Sequence, residues 1–234
     1  MRLNDSFVPV IRKAEYDAVA TKFLRKYCPE ALRTPMSVPI DAIASDHMGL
    51  DVQIVRITED LNEFGKIFFT DGVTEVYVAE TDEYIFVPVT KGTVFIDENV
   101  FFERNVGCAR NTLAHECFHW FAHRPYHELQ IFLGNNMAVA SRCHTKTIYK
   151  QKMTETDWME RQANAIAPRI LMPKEMFMQV ANECDYLRPI KCLWGAEQEL
   201  SLEFAARELG EFFNVSTQSA MIRLKELGYC QEIR

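Results

Sequence analysis

Long apolar runs are missing from this chain of 234 residues. No stretch approaches the roughly 18 consecutive apolar residues that mark a membrane-spanning helix. The opening segment, MRLNDSFVPVIRKAEYD, also lacks the basic-then-apolar pattern of a secretory signal. The expectation is a cytoplasmic protein with no membrane partner. Paired cysteines are missing too: the seven cysteines are an odd, scattered set without a C-x-x-C pair, which suits a reducing compartment better than a disulfide framework. Cys143 and His144 are adjacent rather than spaced for chelation. Positive charge is in deficit, at a net −7, so direct nucleic-acid binding is not expected. There are no internal repeats and no low-complexity linkers, and 48% hydrophobic residues suffice for a sizeable core.

What is present falls into an ordered series. A helical stretch from about Ala14 to Tyr27 breaks near Pro29, and a short helix follows Pro39 and stops at Gly49. Then come DVQIVRI, KIFFT, VTEVYVA, EYIFVPV and GTVFIDENVF, rich in Val, Ile, Phe and Tyr, which read as strands of one small, mostly antiparallel sheet. After a helix at about 105–124 and a poorly patterned stretch over 124–156, helices are expected from Asp157 to Leu171, from Pro173 onward, and twice between Glu197 and Leu227. Strands followed by helices indicate an α+β fold rather than a doubly wound sheet. The organisation expected is a core over 1–175 and a helical region over 176–234. GTVFIDENVF, just before the central helix, is the candidate for an open edge that could pair with an extended peptide.

The central helix carries the chemistry. Residues 115–119 read HECFH, an H-E-x-x-H pattern that arises by chance in about one chain of this length in a hundred. Positions four apart share a helix face, so His115 and His119 can address one metal ion, while Glu116 can reach a water there. Asn105 is a plausible N-cap, and Val106, Ala109, Leu113, Ala114, Phe118 and Phe121 make the helix largely apolar up to Pro125. A buried helix must satisfy its His, Glu and His, and a metal with its water does so together. The competing reading is two core histidines and a salt-bridged glutamate. Cys117, inside the motif, is turned away from the ligand face and reads as packing.

Two histidines leave a catalytic site one ligand short. The metzincin position for a third histidine, six residues after the second, is Pro125. His123 and His127 continue the i+4 series, but each turn rises about 5.4 Å, too far for a third ligand on one straight helix. Helix-end or substrate-contact roles suit them better. WMERQANAIAPRILMP offers Glu160 instead: Ala163, Asn164 and Ala167 give it a small, polar face on which helices can approach closely. Asn164 could also steady a ligand by a hydrogen bond.

The segments TLAHECFHW and ERQANAIAPRILMP together resemble the motifs of the ImmA/IrrE-type metallopeptidases. The likeness covers residues 112–173 closely and the rest by order of elements. It departs at Phe118, where the family often has glycine. The resemblance implies a gluzincin-like zinc peptidase with a zincin-type core, Zn2+ held by His115, His119 and Glu160, and Glu116 as general base. It also implies a protein substrate, a cognate DNA-binding transcriptional repressor whose cleavage relieves repression in bacteria. For the oxyanion of such a reaction, His123, Tyr126, His127, His144 and Tyr149 all stand near in sequence.

A different class of function is suggested by EFFNVSTQSAMIRLKELGY. This has the cadence of a helix-turn-helix, with a turn at Asn214, Val215 and Ser216. Its expected outer face is poorly basic, Arg223 and Lys225 being offset by Glu226. A structural or repressor-docking role is thus favoured over operator binding, and a regulatory or partner-binding module with an inactive peptidase core is the alternative to an enzyme.

Overall fold

A computed structural model describes residues 2–134, 140–144, 153–188, 190, 193 and 195–229. The chain opens with helix α1 (Tyr16–Tyr27) and a short helix α2 (Ile40–Ala42) that widens into a π turn through His47. Strands β1 (Asp51–Val55), β2 (Glu63–Phe68), β3 (Gly72–Val78), β4 (Glu83–Val89) and β5 (Thr93–Asp97) follow. Next come helices α3 (Val106–Ala122) and α4 (Arg124–Phe132), then strand β6 (Ala140–His144). Helices α5 (Glu155–Leu171), α6 (Lys174–Glu183), α7 (Gly195–Phe213) and α8 (Thr217–Glu226) complete the described fold. It is α+β, as expected. Among the described residues no helix is long and apolar enough to cross a membrane.

The strands form two sheets, not one. A four-stranded sheet runs β1-β5-β2-β6, while β3 and β4 pair only with each other. β5 lies parallel to β1 and antiparallel to β2, and β2 is antiparallel to β6. This corrects the expected open edge: β5 is paired on both sides and buried at all five positions. The reason is in its composition, since T-V-F-I-D is a continuous run rather than an alternation, the pattern of a strand covered on both faces. The described edge beside the central helix is instead β6, which packs against α3 and α5. Both β6 and α4 fall inside the stretch that sequence patterning left unread.

α3 is the hub. Asn105 caps it, its side chain accepting from the Cys108 amide at 2.9 Å. Buried residues surround its whole circumference, as a helix apolar all round demands. α5 packs along it through Ala163 and Ala167, both fully buried. α5 starts two residues earlier than its apolar pattern predicts, because Thr154 and Asp157 close a capping box.

The C-terminal helices share this core. Leu202, Ala205, Leu209, Phe213, Ala220 and Leu224 join one continuous apolar cluster with side chains of α1, α3 and α5. The turn between α7 and α8 sits against the first turn of α3: a Cβ on Gly107 would lie 2.3 Å from the Ser216 nitrogen. Arg110 of α3 reinforces the join by donating to the Asn214 carbonyl at 2.9 Å and the Val38 carbonyl at 2.5 Å. Arg223, read as part of an outer face, is buried and donates to Asp17 of α1 at 2.5 Å.

Candidate metal centre

Three side chains from two helices meet beneath the sheet. His115 and His119 lie on one face of α3, with their Nε2 atoms 3.0 Å apart. Glu160, from the second turn of α5, reaches both: Oε2 is 3.1 Å from His115 Nε2, and Oε1 is 3.3 Å from His119 Nε2. One donor atom from each residue falls within 4.8 Å of the other two. Both rings are buried and Glu160 is half-buried. Among the described residues this is the one grouping of His, Cys, Asp and Glu with metal-binding spacing.

Glu116 stands beside them, fully buried, with neither carboxylate oxygen hydrogen-bonded. Burial, followed by repulsion from Glu160 and Glu63, holds its pKa well above the usual carboxylate value. Burial also pushes Glu160 up, but the adjoining His119 and His115 rings outweigh it and keep that carboxyl below its ordinary value. Burial keeps His119 below the ordinary imidazole value. The lowering at Glu160 comes from the two imidazoles beside it, and a divalent cation would take the same carboxylate ionised and the imidazoles neutral.

The donor set fits such an ion. Two nitrogens and a carboxylate suit zinc and several other divalent metals. Glu116 and Glu160 bring two carboxylates into a buried space, and the Glu116 oxygens and His115 Nδ1 have no hydrogen-bond partner. A cation with its water would compensate the charge and give Glu116 a partner.

Space for Glu116 comes from a residue that sequence analysis passed over. Gly65, in the middle of β2, lies under α3, and a Cβ there would meet Thr112 Cγ2 at 2.5 Å, Glu116 Oε1 at 3.1 Å and the Phe95 carbonyl at 3.3 Å. A glycine inside a strand marks such close approach; E-F-G-K-I-F-F was the available signal. The β2–β6 register shifts between Glu63 and Gly65, at the same place.

The other expected residues separate. His123 caps α3 as a helix-end role predicts, but no substrate could touch it: it is fully buried, with Nδ1 2.9 Å from His119 Nδ1 and Nε2 3.1 Å from Gln162 Oε1. Asn164 is exposed, so the α5 residue placed behind a ligand is Gln162, whose Nε2 donates to the Pro9 carbonyl at 2.7 Å. His127 is buried, stacked 3.9 Å from Phe69, and neither ring nitrogen has a partner. Burial and the nearby His119 ring lower its pKa to about 3. Tyr126 is half-buried against His127. Tyr149 and the side chains of Cys143 and His144 lie outside the described residues.

No protein-family model matches this chain, and no curated protein matches it significantly.

Proposed function

We propose that this protein is a zinc-dependent endopeptidase with a zincin-type core that cleaves a protein substrate, a cognate DNA-binding transcriptional repressor. One observation carries the enzymatic reading: His115, His119 and Glu160 converge within 4.8 Å, and an unpartnered buried carboxylate, Glu116, stands beside them. The repressor as substrate rests on the likeness of residues 112–173 to the metallopeptidase motifs.

His115, His119 and Glu160 would hold the ion. When bound, zinc supplies a Lewis acid that polarises a carbonyl and makes a neighbouring water more acidic. Glu116 is placed to take the proton of the attacking water. Its raised pKa then suits it to hand that proton to the departing amine. The outer edge of β6, paired with β2 on its inner side, would take an extended substrate by strand addition. Gly65, opposite Cys143 of β6 in register, keeps the floor beneath that edge low enough for Glu116.

The test is co-incubation of purified protein with DNA-binding repressors, beginning with any encoded beside it, wild type against Glu116→Gln, with zinc content measured and fragments mapped by mass spectrometry. Expected is stoichiometric zinc in both and cleavage by the wild type alone. Equal cleavage by the variant would remove Glu116 as base, and absence of bound metal from the wild type would remove the enzyme.

A further inference from the structure

Behind the metal-facing nitrogens, one hydrogen-bond chain has a fixed direction. It begins at the Pro9 carbonyl, which can only accept. The Gln162 atom 2.7 Å from it is therefore the amide NH2, and the Gln162 oxygen is the atom facing His123 Nε2 at 3.1 Å. An amide oxygen also only accepts, so His123 carries its proton on Nε2. His123 is fully buried, and its described side-chain hydrogen-bond partners are His119 and Gln162, neither a carboxylate that would hold a second proton in place. Its Nδ1 therefore presents a lone pair to His119 Nδ1 at 2.9 Å. His119 must donate there, which leaves the lone pair of its Nε2 directed at His115 and Glu160.

We propose that His123, Gln162 and the Pro9 carbonyl form a one-way relay that locks His119 as the Nδ1–H tautomer, the form whose Nε2 can bind a cation. The N-terminal segment is thereby part of the site. Short-range bonds hold that segment in shape, since Leu3 and Pro9 make an antiparallel bridge and the Asn4 side-chain oxygen accepts from the Ser6 and Val8 amides at 3.1 and 2.8 Å. The Asn4 amide nitrogen donates to Glu155 at 3.0 and 3.1 Å. The segment is thus pinned to the first turn of α5 and again, two turns on, at Gln162. A proline is suited to the last position, because its carbonyl is offered without a competing N–H. His123 and Gln162 are positioning residues, acting through His119. The consequence for metal affinity rests on the metal-binding reading above, but the tautomer is set with or without the ion.

The test has two readouts on the full chain. In zinc-free wild type labelled with 15N-histidine, ring correlations report which nitrogen is protonated. The expected pattern is Nδ1–H for His119 and Nε2–H for His123; Nε2–H on His119 would overturn the relay. Zn2+ affinity, by competition with a chromogenic chelator, is then compared across wild type, His123→Leu, Gln162→Leu and His123→Gln. Both leucine variants should bind Zn2+ about 10- to 100-fold more weakly. His123→Gln, which keeps an acceptor oxygen, should recover part of the loss. Unchanged affinity in folded leucine variants would also overturn the relay. Wild type that takes no Zn2+ yet shows Nδ1–H on His119 would sink the metalloenzyme and leave the relay supported.

Discussion

Replacing Gly65 with alanine tests how closely α3 is held to the sheet. The new methyl would sit 2.5 Å from Thr112 Cγ2, where two carbons are comfortable at about 3.5–4.0 Å. Something must move by about 1 Å. Thr112 resists rotation, because its hydroxyl donates to the Cys108 carbonyl at 3.1 Å and a β-branched side chain has little rotamer freedom in a helix. The next obstacles are Glu116 Oε1 and a backbone carbonyl, that of Phe95. The relief available is for α3 to rise off β2, at a cost of about 1–3 kcal/mol for overpacking. That carries His115 and Glu116 with it, and on the proposed peptidase reading a displacement of about 1 Å there is worth about 100-fold in rate. Urea unfolding of the zinc-free protein, followed by far-ultraviolet circular dichroism, measures the stability loss. The diagnostic partner is Thr112→Ser, which removes Cγ2 and keeps the hydroxyl. Alone it should cost about 1 kcal/mol for a buried methyl. Combined with Gly65→Ala it should recover more than half of the alanine penalty, a coupling of about 1–2 kcal/mol. Strict additivity of the two changes, or a single alanine variant within about 0.5 kcal/mol of wild type, would refute the close approach.

Three further outcomes follow from the site and its supports. In the zinc-free protein, Glu116 has a folded pKa above its ordinary 4.5, so the stability it allows is fully present below that pH and is lost as pH rises through the folded value; Glu116→Gln should be the more stable form at neutral pH by about 1–3 kcal/mol, with the gap closing in acid, and a pH-independent gap would contradict the raised pKa. Chelator should lower the melting temperature of metal-loaded wild type, by an amount that grows with the metal concentration it removes, whereas Glu160→Ala should melt at one temperature with or without chelator. Arg110→Ala leaves the Asn214 and Val38 carbonyls without their donor and should cost about 2–4 kcal/mol in urea unfolding; a loss under about 0.5 kcal/mol would show that Arg110 does not join α3 to the C-terminal turn.

Local chemistry made parts of this molecule readable in advance. The Asn105 cap, the apolar circumference of α3, the stop at Gly49 and the small residues Ala163 and Ala167 are each set within a few positions along the chain. The i+4 spacing of His115 and His119 is set the same way, and Glu160 stood out by the small face that follows it. What escaped was non-local. Which strands neighbour β5 depends on a parallel pairing with β1, some forty positions earlier, that no short window contains. β3 and β4 look like members of the main sheet because a hairpin and a sheet share one alternation pattern. Asn164 and Gln162 are both amides on α5, and choosing between them needs the position of Pro9, from the far end of the chain. Arg223 reads as a surface cation until Asp17 is brought to it.

The bare backbone of Gly107 against Val215 and Ser216 makes the central helix and the C-terminal pair one mechanical unit. Separating the stretch up to about residue 175 from the rest would expose the start of α3 and strip apolar cover from its flank. Exchange of α7 and α8 for an unrelated helix pair must recreate a turn shaped to the same glycine.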